Sequence, residues 1–321
     1  MQQNPANLTV GPVGANAATI SKLTPSEILA QTIVKLEGAY SPATIRAYRA
    51  NFQVFIRYCL DQGVGPLPCD PSIVTQFVAH LANGHLKSAS IRIAVVAIAA
   101  IHRLNRFEDP TKDPDVTLEM RRMHRKLGRS NNQALGVNHN LLEKLISVTD
   151  NSLKGTRDRM LLLLAYDSLC RRSELVSLRV EDISNLGTDK ELQIRLRKSK
   201  TDPNAMGKWL HLSKRTRLAI EDWIATSGIK EGFLIRRITK HGGILPNGIT
   251  GGHINRTYKR LAREANLDSD MVEHISGHSM RVGSAQDLLN SGASMPMLMN
   301  RGRWTKTDTV MRYVENAQVV M

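Results

Sequence analysis

The chain has 321 residues, enough for one to three domains, and two are expected. Lys and Arg number 44 against 29 acids, a net charge of +15, which points to a polyanionic partner, most often nucleic acid. Cys59, Cys69 and Cys170 are scattered and form neither a disulfide framework nor a zinc pattern. With no leader-like N-terminus and no apolar run of about 20 residues, a cytoplasmic protein without a membrane span is expected. Aromatic residues are 4% of the chain, so the cores are expected to be filled by aliphatic helices. The positive charge is spread: residues 41–130 carry 13 basic and 7 acidic side chains, and residues 131–321 carry 29 and 20.

Residues 1–20 read as a flexible tail of Asn, Ala, Gly and Pro. Helix signals follow in series through residues 21–128. Thr24-Pro25-Ser26-Glu27 is a capping box with Pro at the first helical position. Ser41-Pro42 opens a helix to about Gln62, with Ile45, Tyr48, Phe52, Phe55, Ile56 and Cys59 on one face and Thr44, Arg46, Arg49 and Arg57 on another. Asp70-Pro71 starts a third helix that ends near Asn83-Gly84. Ser88 or Ser90 caps a fourth, Ile91 to Leu104, aliphatic throughout and therefore central. Leu118 to Leu127 is a fifth, carrying Arg121, Arg122, Arg125 and Lys126. A polar stretch, 129–137, is the linker.

Residues 138–321 mix helix and strand. Asn138 caps a helix to about Val148, and the stretch Thr156–Leu178 contains the buried run Met160 to Ala165. Charges follow directly, among them Arg171 and Glu174, which either pair locally at a helix start or serve a site. Glu191 to Arg197 alternates as a strand, Lys198 to Asn204 is the turn that carries Lys200, and Lys208 to Leu212 returns. Ser213 caps a helix through Ala225. Phe233 to Ile238 is a short strand, Gly242-Gly243 and Asn247-Gly248 are turns, and His253 to Ala265 is a basic helix. Three more helices begin at His278, Ser294 and Thr307. The predicted fold is mainly α with a small β-sheet, an α+β second domain after an all-helical first.

The chemical residues concentrate in Gly277 to Tyr313. His278 and Arg281 stand three apart, so a helix would put them on one face, and Trp304 and Tyr313 follow. An imidazole, a guanidinium and a phenol can handle a phosphodiester without a metal. Taken singly, His278, Trp304 and Tyr313 would each more often be structural. His274 and His278 have zinc-helix spacing but no third ligand, no phosphate-binding glycine loop is present, and no acidic cluster suggests a two-metal nuclease. Neither metal nor cofactor is expected.

Taken in order, Arg171, Lys200, His278-x-x-Arg281, Trp304 and Tyr313 resemble the tyrosine site-specific recombinases of the phage integrase family, whose chemistry resembles that of type IB topoisomerases. Arg171 lies in Leu-Cys-Arg-Arg-Ser-Glu-Leu, a context typical of that family, and Glu174 matches the acidic residue that accompanies the first arginine. Trp304 at the fifth position is similar to the Cre branch, as are Ala-Tyr-Asp-Ser-Leu near 165–169 and Met-Arg-Arg-Met near 120–123. The likeness covers about residues 38–317. The chain departs from the pattern in having 8 residues after Tyr313, where Cre-like proteins have a longer docking helix, and about 20 before the first capping box, which suggests a simple recombinase without an arm-binding domain.

The resemblance implies a two-domain, C-shaped clamp on double-stranded DNA, with a core-binding domain at 21–128 and a catalytic domain at 138–321. It implies that Tyr313 attacks to leave a 3′-phosphotyrosine, that Arg171 and Arg281 hold the phosphate oxygens, and that Lys200 protonates the departing 5′ oxygen. His278 and Trp304 would contact the phosphate and Glu174 would orient the site. Recombination would proceed without ATP or metal, through a Holliday junction, in a homotetramer on two inverted-repeat sites. Thr44, Arg46, Ser90, Arg92, Arg121 and Arg122 are the candidate DNA contacts of the first domain. The competing readings are topoisomerase-like or resolvase-like breakage and rejoining, and a DNA-binding factor without turnover.

Overall fold

The computed structural model describes residues 23–129, 133–186, 188, 191–199 and 206–314. Its backbone contacts divide the chain into two units, Met1–Asn132 and Gln133–Met321. It is mostly helical, with two small sheets among the described residues. No helix among these residues is long and apolar enough to cross a membrane.

The first unit contains α1 (Pro25–Leu36), α2 (Pro42–Asp61), α3 (Pro71–Asn83), α4 (Ser88–Leu104) and α5 (Pro114–Leu127). Local chemistry sets most of the starts. Thr24 and Glu27 satisfy each other's backbone N–H groups, and Ser41, Asp70 and Asp113 each accept a first-turn N–H just before a proline. Such caps are worth ~1 kcal/mol each. Two starts differ from expectation. α4 begins at Ser88, with Lys87 at the cap position and no side-chain cap from Ser88 or Ser90. α5 begins at Pro114 rather than near Leu118, because Asp113 accepts the Asp115 N–H at 2.8 Å.

α4 packs against α1, α2, α3 and α5. Its Ile91, Ala94, Val95, Ile98 and Ile101 are buried, so the expected central helix is present. The core around it is less aliphatic than composition suggested. Phe52, Phe55 and Phe77 are fully buried, with the Phe55 and Phe77 rings 5.0 Å apart. A low aromatic count says nothing of where the few aromatics gather.

The second unit begins with α6 (His139–Ser147), capped by Asn138, then α7 (Leu153–Ser168) and the single turn α8 (Arg172–Leu175). α7 buries Met160 to Ala165 on every side, as a helix does when it runs through a core. It stops at Ser168, because Leu169 takes a left-handed conformation (φ 49°). β1 (Ile183–Ser184), β2 (Gln193–Leu196) and β3 (Lys208–His211) form an antiparallel sheet with Ile194 opposite Leu210. Ile194 and Leu196 face the core while Arg195 is exposed, so the expected alternation holds. After α9 (Lys214–Ser227), β4 (Arg236–Ile238) pairs with β5 (Ile244–Gly248). The turn expected at Asn247-Gly248 is therefore the end of a strand instead. Gly248 pairs with Arg236, and a Cβ there would stand 2.9 Å from the Phe233 ring, so the glycine serves close packing.

α10 (Gly251–Glu264), α11 (Ser269–His274), α12 (Ser279–Asn290), α13 (Met295–Gly302) and α14 (Thr307–Val314) complete the described part of the unit. β1 and α11, two and six residues long, are too short for a sequence pattern to reveal. α12 carries Arg281 and lies tightly against residues 135–138. Val137 N–H donates to the Ser279 carbonyl at 3.0 Å, and a Cβ on Gly283 would stand 1.9 Å from the Val137 oxygen. Backbone cannot yield as a side-chain tip can. Gly283→Ala is therefore expected to cost about 3 kcal/mol or more, read as a lowered midpoint in chemical denaturation; an unchanged midpoint would show that this contact does not constrain α12.

Candidate active site

The second unit brings together six of the seven catalytic candidates. Lys200, the seventh, lies outside the described residues. Its neighbour Ser199 is at the site, donating to Glu174 at 2.9 Å and accepting from Arg171 at 3.2 Å.

Glu174 is the hub. It is buried, and its two oxygens share four donors. Oε1 accepts from Arg171 Nη1 at 2.7 Å and from Ser199. Oε2 accepts from the Arg171 backbone N–H at 2.9 Å and from Arg303 Nη2 at 3.1 Å. Burial alone would raise its pKa, but Arg303 and then Arg171 outweigh that and hold it below the ordinary carboxylate value. The local Arg171–Glu174 pair and the site are thus the same feature.

Arg281 is 1% exposed. Nη1 donates to the Leu169 carbonyl, and Nη2 to the Gly302 carbonyl at 2.5 Å. Its guanidinium lies over the Trp304 ring at 4.4 Å and the Tyr313 ring at 5.5 Å. Burial brings its pKa down to about 10, which leaves it charged at neutral pH. Trp304 is 5% exposed and sits 5.0 Å from the Tyr313 ring, centre to centre. The glycine two residues before it is required: a Cβ on Gly302 would stand 1.9 Å from the indole. Arg281 Nε and Trp304 Nε1 are buried donors with no partner among the described residues, an arrangement that calls for an explanation.

Tyr313 is half-buried on α14, its backbone oxygen accepting from Gln286 Nε2 at 3.3 Å. Its hydroxyl lies 2.6 Å from His278 Nε2. His278 is the cap residue of α12, already helical in backbone, and its carbonyl accepts the Val282 N–H at 3.1 Å, so it stands one turn before Arg281. Burial first, then the charges of Arg281, Arg171 and Arg172, lower the His278 pKa to about 4. The ring is neutral at physiological pH, and Nε2 can accept the phenolic proton.

Arg303, Ser199 and Gln286 also contact the candidate residues, and the sequence alone does not single them out. Ser199 adjoins the predicted lysine, which is a usable signal. Arg303 is one arginine among many and carries none. Arg172 is exposed and lies across Gly251 and Gly277, where a Cβ would meet it within 3 Å. Among the described residues there is no group of three or more metal-ligating side chains. His274 bonds instead to the Asp270 carbonyl at 2.8 Å.

The six candidates of the first unit sit on α2, α4 and α5. Arg46, Ser90, Arg92, Arg121 and Arg122 are exposed, while Thr44 is half-buried and bonded to Ser41 at 2.9 Å. Arg122 pairs with Glu119 at 2.9 Å, a contact of little energetic weight at an exposed site. Burial, then Arg129 and Arg92, lower the pKa of His124, so α4 and the end of α5 share a positive field.

Residues 137–319 match the phage integrase family, and residues 32–108 match the phage integrase N-terminal SAM-like domain. The chain is 27% identical over 264 residues to "Recombinase cre" of Escherichia phage P1, covering 78% of this chain and 77% of that protein. It is 26% identical over 299 residues to "Integrase/recombinase xerD homolog" of Selenomonas ruminantium, covering 89% and 85%. In fold it is similar to the XerH site-specific recombinase bound to a palindromic difH substrate in a post-cleavage complex. That likeness has a TM-score of 0.65 at 13% identity and covers 93% of this chain and 83% of that one.

The depressed His278 value is directly measurable. In the DNA-free protein the His278 ring resonances are expected to titrate with a midpoint near pH 4, protonating as the pH falls through that value. A midpoint at the ordinary histidine value, about 6.5, would mean that neither burial nor the surrounding cations control the ring.

Proposed function

The chain belongs to the phage integrase family, and on that premise we propose how this tyrosine recombinase uses the residues described above. Tyr313 is the nucleophile. The observation that carries this is its hydroxyl 2.6 Å from a neutral His278, beside the Arg281 guanidinium that lies over its ring and near the Glu174 carboxylate held by Arg171 and Arg303. His278 Nε2 takes the phenolic proton as the oxygen attacks phosphorus. The 5′ oxygen leaves, and a 3′-phosphotyrosine remains. The bond energy is conserved in that link, so a second 5′-hydroxyl reverses the step without ATP.

Arg171 and Arg281 bind the non-bridging oxygens. Charge grows there in the transition state, and a guanidinium already fixed in place stabilises it with little reorganisation. The buried Trp304 Nε1, which lacks a partner among the described residues, supports a role as a further donor to the phosphate. Glu174 orients Arg171. Lys200 is assigned the proton for the leaving oxygen, on its place in the sequence pattern.

The substrate we propose is double-stranded DNA with inverted-repeat sites, exchanged in a homotetramer. The first unit supplies phosphate contacts through Thr44, Arg46, Ser90, Arg92, Arg121 and Arg122, consistent with the exposure of its arginines. The domain assignment that goes with this is a core-binding domain at 21–128 and a catalytic domain at 138–321.

Tyr313→Phe is expected to bind DNA as the unaltered protein does and to form no covalent adduct. The check is a denaturing gel with nicked duplexes carrying random inverted repeats, in EDTA, where the nick lets the 5′ fragment escape and traps the link. An adduct formed by Tyr313→Phe would refute the assignment of the nucleophile.

A further inference from the structure

We propose that Arg303 is a positioning residue that presets both phosphate-binding arginines at once, Arg171 through Glu174 and Arg281 through the Leu169 carbonyl. This rests on the reading of Arg171 and Arg281 given above.

Arg303 is 7% exposed and makes five bonds. Nη1 donates to the carbonyls of Ser168 at 3.0 Å and Arg301 at 3.2 Å. Nη2 reaches the Leu169 carbonyl at 3.0 Å, Glu174 Oε2 at 3.1 Å and the Cys170 sulfur at 3.5 Å. The Leu169 oxygen also accepts from Arg281 Nη1, so one carbonyl ties the two guanidinium groups together. Glu174 Oε2 accepts from the Arg171 N–H as well, so the carboxylate that orients Arg171 is itself fixed by Arg303.

The backbone adds an independent observation. Arg303 ends α13 in the left-handed region, at φ 55°. Glycine makes that cap without steric cost, whereas a residue with a side chain does not. A strained cap that also buries a charged side chain on a carboxylate and three helix-end carbonyls is best explained by what the side chain holds. A merely structural role would stabilise the fold and leave the arginines' order and the chemistry untouched, and that difference is testable.

Arg303→Gly keeps the left-handed backbone available and removes the guanidinium. Arg303→Lys keeps the charge but lacks the second arm. Circular dichroism first establishes that a variant is folded. Single-turnover cleavage of saturating nicked duplex is then expected to fall on the order of 10- to 100-fold in both variants, with DNA affinity within about twofold of the unaltered protein. Added methylguanidinium restores part of the rate in Arg303→Gly. The rate of that variant also declines more steeply as the pH falls, because Glu174 has lost the cation that most opposes its protonation.

A readout independent of cleavage is the set of arginine Nε–H resonances in the DNA-free protein. The Arg171 and Arg281 signals are expected to broaden or shift in both variants. Unchanged signals, or cleavage at the unaltered rate in either folded variant, would overturn the inference. Absence of an adduct from the unaltered protein would count against the nucleophile assignment, while the resonances would still decide the role of Arg303.

Discussion

Two helices of the second unit end at the active site, and a helix end leaves carbonyls without partners. α7 ends with Ser168 and Leu169, and α13 ends with Arg301 and Gly302. Buried guanidinium groups satisfy these oxygens: Arg303 takes Ser168, Leu169 and Arg301, and Arg281 takes Leu169 and Gly302. The negative ends of the helix dipoles favour the same positive groups. The site depends on this exchange, because it is what allows two arginines to be held charged in the interior of the protein. An unpaired buried guanidinium would be prohibitively costly.

The electrostatics follow from that framework. Glu174 is the carboxylate bound to this cluster, and it is shared by Arg171, Arg303 and Ser199. The remaining positive charge acts on whatever else is close. Burial first, and then this charge, lowers the His278 pKa to about 4, which leaves the imidazole able to accept a proton at neutral pH. The field that would draw a phosphate in therefore adds to burial in keeping the His278 ring unprotonated.

Much of this is legible in the sequence, for identifiable reasons. Helix starts at Thr24, Ser41, Asp70 and Asn138 are visible because capping is local chemistry. The buried course of α7 is visible because Met160 to Ala165 has no polar face. Arg171, His278, Arg281, Trp304 and Tyr313 are recognisable because unusual residue types occur in a fixed order. The β4–β5 pairing is obscured by strands of three and five residues, the second of which ends in the Asn-Gly of an apparent turn. Arg303 is hidden for a deeper reason. In a chain with 44 basic residues one more arginine is unremarkable, and its left-handed backbone sits where pattern reasoning would look for glycine.

α14, which carries the proposed nucleophile Tyr313, leans on its neighbours. It is held through Val310 and Val314, which are buried against Leu169, Ala285, Leu298 and Trp304, and through the Gln286 bond to the Tyr313 carbonyl. Leu169 thus serves two purposes, its side chain packing beneath the helix of Tyr313 while its carbonyl binds Arg281 and Arg303. The phenol is placed by the same residue that seats the cations. A disturbance of the α7 end would reach Tyr313 and the buried arginines together, the one through side-chain packing and the others through a shared carbonyl.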